Sequence, residues 1–262
     1  MLVIGLFLAV LVGLSVSLLG GGGAILAVPI FVYVLGFGTK EAVASSLVVV
    51  GLTSLSGAVS HWREGRVRLR VALVFGLFAM ASAYLGAWLA VFFSSAAQLT
   101  LLAVVMVVAA FSMFRDSNNK PDEDEEDAES ESPSIVQVSL GRVLGLAVLA
   151  ALVGALTGLV GVGGFLMVPA LVLVGQVPTK EALGTSLLVI VMISVSGFAG
   201  YLGKVEIQWA LVALFTALAV AGSFAGAYLV RFVPQGTLRT FFAGFLVVVA
   251  VFILYQYLGE FF

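Results

Sequence analysis

Gly20-Gly21-Gly22-Gly23-Ala24-Ile25-Leu26-Ala27-Val28-Pro29 interrupts an apolar run otherwise long enough to cross a bilayer. Four glycines in a row do not propagate a helix, since each costs roughly 1 kcal/mol against alanine. In lipid, a broken helix frees backbone N–H and C=O groups that only protein or a watery cavity can satisfy. The stretch has a counterpart in Gly161-Val162-Gly163-Gly164-Phe165-Leu166-Met167-Val168-Pro169, about 140 residues later. Breaks at matching positions of two halves predict a transporter with its binding site at the paired breaks.

The composition around the breaks agrees. The 262 residues are 62% hydrophobic and 10% charged, against ~45–50% and ~25% in soluble chains. Apolar runs of about 20 residues recur along the whole length, and the short alternating segments of a β-barrel are absent. The sequence predicts a polytopic helical membrane protein embedded in the lipid bilayer. Leu2 to Val16 lacks the basic flank of a signal peptide, and its counterpart Leu140 to Val160 lies mid-chain, so it is expected to remain in the mature protein.

There are no cysteines and one histidine, His61, so thiolate and histidine-cluster metal sites are excluded and no cofactor is expected. No Ser/His/Asp set exists within the spans. The glycines precede neither a Walker lysine nor a strand, so they form no nucleotide loop, and nothing points to nucleic acid. The sequence is not that of an enzyme. Nine of the fourteen acids lie between Arg115 and Ser134. Setting that stretch aside leaves five acids against ten bases, twelve less Arg115 and Lys120, so the membrane body is positive. That balance suits inner-leaflet headgroups and anionic solutes.

The chain divides into a first transmembrane repeat (1–114), an acidic disordered cytoplasmic linker (115–138) and a second repeat (139–262). Thr39-Lys40-Glu41-Ala42-Val43-Ala44-Ser45-Ser46-Leu47 returns as Thr179-Lys180-Glu181-Ala182-Leu183-Gly184-Thr185-Ser186-Leu187. Ser54 and Ser56 match Ser194 and Ser196, and Ala81–Leu89 is echoed by Ala221–Leu229. Thr39 reads as the N-cap of the helix that follows. Each half has a glycine-broken segment and three further spans. If each broken segment is a hairpin the halves are inverted; if each is a kinked span they are parallel. The inverted arrangement gathers ten bases on the side of the arginine-rich 61–70 loop and leaves Lys40 and Lys204 opposite, which the positive-inside rule favours. The linker is cytoplasmic either way.

Helices starting at the breaks would aim free N–H groups and positive dipole ends at an anion. The candidate binding residues are Gly21, Gly22, Gly23 and Ala24 in the first half and Gly161, Gly163 and Gly164 in the second. The hydroxyls of Ser45, Ser46, Thr185 and Ser186 add donors without a buried charge. The competing reading is that each hydroxyl bonds back to its own helix. For Gly86 and Gly226 helix packing is the preferred reading, and for Ser54, Ser56, Ser194 and Ser196 packing or back-bonding. His61 reads as an interfacial residue and the loop arginines as topology determinants.

The glycine cluster followed by proline, the TKEA and TSL-type segments and two helical halves joined by a polar loop resemble the TauE/SafE sulfite-exporter family. The resemblance covers both repeats. It implies export, and in some members import, of small sulfur-containing anions such as sulfite, thiosulfate and organosulfonates from the cell through the inner membrane. Alternating access would proceed by rocking of one half on the other, and a homodimer is left open. An anion channel and a scaffold recruiting a partner through its acidic loop are the alternatives.

Overall fold

The computed structural model describes residues 2–18, 21–118, 140–162, 164–173, 177–229 and 235–258. Gly20, Gly163 and most of the acidic linker lie outside them. Among the described residues all regular structure is helical: α1 (Leu2–Leu18), α2 (Gly22–Val34), α3 (Thr39–Arg63), α4 (Leu69–Ala90), α5 (Ser95–Asn118), α6 (Leu140–Val160), α7 (Gly164–Leu173), α8 (Thr179–Tyr201), α9 (Trp209–Leu229) and α10 (Gln235–Leu258). Five of these contain stretches long and apolar enough to cross a membrane: Thr39–Arg63, Leu69–Ala90, Ser95–Phe114, Glu181–Tyr201 and Trp209–Gly226. With the shorter apolar helices they make an all-α polytopic membrane protein.

Two boundaries differ from the sequence reading. Gly38, in an extended conformation, takes the cap of α3, and Thr39 is its first helical residue. The Gly38 carbonyl accepts the Ala42 N–H at 2.8 Å, and no side chain caps the helix. Helix α5 runs on to Asn118, through four residues assigned to the linker on composition. Charge alone does not end a helix, and the next proline along the chain is Pro121.

Helix α2 is not uniform. It opens as a tight 3₁₀ turn over Gly22–Leu26, passes through one α-turn, and widens to a π-helix over Ile30–Val34. Pro29, which has no N–H to give, sits at the change from α to π.

The ten helices pack through small residues. Helix α1 lies against α9 and α6 against α4, while α3 crosses α8 and α5 pairs with α10. A Cβ on Gly13 would stand 1.8 Å from the Ala219 carbonyl oxygen, and one on Gly158 2.1 Å from that of Ala83. Glycine lets these backbones touch, the main source of helix affinity where lipid removes the hydrophobic drive. Gly86 and Gly226 do the same against Ala155 and Leu14, as the packing reading expects.

The contacts also fix helix directions. Gly57 meets Leu187 and Gly197 meets Leu47, so α3 and α8 run antiparallel. Gly154 meets Ala79 and Gly158 meets Ala83, so α6 and α4 run parallel, as α1 and α9 do through Val10 with Gly222 and Leu14 with Gly226. At one end of the bundle the Lys40 ammonium donates to the Val91 carbonyl and that of Lys204 stands 5.2 Å above the Trp88 ring. At the other, Arg68 pairs with Glu181.

Candidate functional site

The first break turns the chain back on itself. Gly5 in α1 lies against Leu35, and Gly23 lies against Ser15, so α1 and α2 form an antiparallel hairpin with its tip at Gly21. Gly21 has φ +100°, a region that glycine enters without the steric penalty of a Cβ. Its N–H bonds the Val16 carbonyl at 2.9 Å and its carbonyl accepts the Ala24 N–H at 3.2 Å. The Ala24 donor is therefore already used within the turn. Gly22, Gly23 and Ala24 are all buried.

The second break arrives at the same place. A Cβ on Gly164 would lie 2.4 Å from the Gly21 carbonyl oxygen, so the two tips touch. Ile190 of α8 closes on both: its Cδ1 is 2.4 Å from the Cβ position of Gly21 and 3.1 Å from that of Gly164. Gly161, at φ +76°, faces the Ser46 Oγ, which would be 2.5 Å from a Cβ there. Helices α2 and α7 start at Gly22 and Gly164, so two positive dipole ends converge on this contact. Like ends repel, and an anion between them relieves that repulsion. Gly163 lies outside the described residues.

The candidate hydroxyls separate into two kinds. Ser46 donates to the Val43 carbonyl at 2.7 Å and Ser186 to that of Leu183 at 2.8 Å. Thr185 donates to the Glu181 carbonyl at 2.7 Å and accepts the Arg68 N–H at 3.1 Å. These three bond back to their own helices. Ser45 is fully buried with no partner on its Oγ. Ser54 and Ser194 are likewise buried and unpartnered, whereas Ser56 bonds Thr53 and Ser223, and Ser196 bonds the Met80 carbonyl.

Several positioning residues escaped the sequence reading. Ile190 is one, an apolar side chain with nothing to mark it except its equivalence to Val50. Gln98 donates to the Ala90 and Leu159 carbonyls at 3.2 and 3.1 Å, and Tyr201 to that of Gly158 at 2.9 Å. Together they fasten the end of α6 just before the second tip. Arg68 ties the 63–70 segment to the start of α8 through Glu181 and Thr185, so this loop arginine also makes a structural contact. The half-buried His61 packs its Cβ against Gly184 there.

Every buried side chain with a polar group among the described residues is Ser, Thr, Gln or Tyr. The interior they form thus offers neutral donors and no charge. The model of the family described as "Sulfite exporter TauE/SafE" matches residues 5–253. The chain belongs to that family. TauE/SafE relatives include a "Probable membrane transporter protein" of Xylella fastidiosa (strain 9a5c), 28% identical over 250 residues, covering 94% of this chain and 92% of the relative. Another is the "Probable membrane transporter protein YdhB" of Bacillus subtilis (strain 168), 25% identical over 239 residues, covering 88% and 91%. No solved structure matches. Family and relatives together make this TauE/SafE protein a membrane transporter.

Proposed function

We propose that the protein carries small sulfur-containing anions, such as sulfite, thiosulfate or organosulfonates, out of the cell across the inner membrane by alternating access. The observation that carries this reading is the contact of Gly21 with Gly164. Two glycine-opened tips meet there with two helix N-termini converging on them. The Gly22 and Gly23 N–H groups, Gly161, Gly164 and the Ser45 hydroxyl surround the anion and donate to it. Ser46, Thr185 and Ser186 rotate away from their helix carbonyls to donate to the anion as the halves rock. Gly163 joins them by its place in the second glycine motif.

The halves are 1–114 and 139–262, inverted with respect to each other, with the linker 115–138 in the cytoplasm. The antiparallel crossing of the equivalent helices α3 and α8 supports inversion. So does the exchange of the pair Gly57–Leu187 for Leu47–Gly197 when the halves are interchanged. Lys40 and Lys204 holding one end of α4 supports an outer face poor in bases.

Flux of labelled sulfite into proteoliposomes, with thiosulfate and organosulfonates as competitors, tests the proposal. Saturable flux blocked by a competitor is expected. Folded protein that moves none of these anions would refute it, and single-channel currents would replace the carrier with a channel.

A further inference from the structure

In a helix, a serine can satisfy its hydroxyl by turning it toward the carbonyl three or four residues back. Ser46, Thr53, Ser56, Thr185 and Ser186 on α3 and α8 all do so. Ser54 and Ser194 do not, although both are at least 98% buried. Leaving a buried hydroxyl unpartnered costs about 1–3 kcal/mol, so two such groups at equivalent positions call for a ligand.

Their placement says where it would sit. Ser194 faces Gly51 across the α3–α8 seam, 3.6 Å from that glycine's Cβ position to the Ser194 Oγ. Gly51 with Ser194, Gly57 with Leu187 and Leu47 with Gly197 set one antiparallel register. By that register Ser54 falls opposite Ile190, the side chain that closes on both tips. Ser194 is one turn beyond Ile190 on α8. The register therefore puts the two serines within about one helical turn, along α3 and α8, of the level of Ile190, whose side chain reaches the meeting point of α2 and α7.

We propose that Ser54 and Ser194 are the specificity-determining donors of the anion site, and that the site selects singly charged oxyanions over dianions. The inference rests on the transport reading above. Its physical basis is charge: the cost of burying an ion rises steeply with its charge. Hydroxyls and backbone N–H groups solvate one negative charge without a counter-ion, whereas a second charge raises the cost of burial steeply where no cation offsets it. The two helices that bear these serines supply none beside them: α3 has no Lys or Arg between Lys40 and Arg63, and α8 has none after Lys180. Sulfonates and hydrogensulfite are the matching species; thiosulfate and sulfate are not.

The test uses the full chain in proteoliposomes, with labelled methanesulfonate as substrate and unlabelled methanesulfonate, thiosulfate and sulfate as competitors at one fixed pH. Methanesulfonate is expected to compete and the dianions to fail at about tenfold higher concentration. Ser54→Ala and Ser194→Ala should each raise KM by roughly tenfold or more, the loss of a hydrogen bond to a charged group. Ser54→Thr, which keeps the hydroxyl, should recover most of it, and thermal unfolding of each variant reports folding. Equal competition by thiosulfate, or folded alanine variants with wild-type KM, would overturn this inference while leaving transport intact. Wild-type protein, shown to be folded, that moves no sulfur anion would instead bring down the transport reading and this one with it.

Discussion

Replacing Gly164 by alanine puts a methyl carbon 2.4 Å from the Gly21 carbonyl oxygen and 3.1 Å from Ile190 Cδ1. Carbon atoms prefer about 3.5–4.0 Å, so the tips must separate by roughly 1 Å. Overpacking of this kind costs about 1–3 kcal/mol, partly offset by the better helix propensity of alanine. Gly222→Ala is the matched control. Its Cβ would lie 2.3 Å from the Val10 carbonyl oxygen, an equally severe clash, but in the α1–α9 seam away from both tips. For a chain of this size each kcal/mol moves the unfolding midpoint by about 2–4 °C, so both variants should melt several degrees early. Only Gly164→Ala displaces the candidate site, and a displacement of about 1 Å there can cost ~100-fold in rate. Sulfite flux per folded protein, measured well below both midpoints, should fall at least about tenfold for Gly164→Ala and stay near wild type for Gly222→Ala. Wild-type flux from Gly164→Ala, with its midpoint lowered, would remove the tip contact from the mechanism.

Three further outcomes follow from the same geometry. Tyr201→Phe removes the bond to the Gly158 carbonyl and should cost about 0.5–1.5 kcal/mol, read as a lowered unfolding midpoint. Arg68→Gln breaks the pair with Glu181, both side chains about a third exposed; stability should change by no more than ~1 kcal/mol, while the balance of inward- and outward-open states, followed by accessibility of a cysteine placed at either end, should shift. Deletion of residues 122–131 should leave flux and unfolding midpoint near wild type, since eight of those ten residues are acidic; loss of function with intact folding would favour the scaffold alternative.

The membrane class and the two breaks were legible because they depend on composition and spacing. Gly21 and Gly164 can be picked from the sequence since their motifs recur at one offset. That they touch each other could not be read, because it depends on how two hairpins are held by α3 and α8. The hydroxyls show the same limit. Ser54 and Ser56 are identical residues two positions apart, yet Ser56 finds Ser223 on α9 and Ser54 finds nothing. Residue type predicts that a serine can bond back, and the facing helix decides whether it does. Ile190 had no signal at all: an isoleucine in an apolar run looks the same beside a site as in lipid. Arg68 read as a topology charge, and its pairing needed the position of Glu181.

The end contacts carry the last step. Glu41 and Glu181 occupy equivalent helix starts, and Arg68 and Gln208 equivalent positions in the segments that close over them. On one face Glu181 meets the Arg68 side chain and Thr185 receives the Arg68 N–H; on the other Glu41 receives only the Gln208 N–H, at 3.3 Å. Both contacts are made here at once, with the tips closed between them. If the halves rock, each face must release its contact in turn, and the face with the ion pair opens at the greater cost. A partly exposed pair supplies at most ~1 kcal/mol, about a fivefold bias between states. That is enough to give a carrier a resting orientation and too little to lock it. A buried pair at the same place would cost several kcal/mol to break and would hold one face shut. If transport is by rocking, the one-third exposure of Arg68 and Glu181 suits a contact that breaks on every cycle.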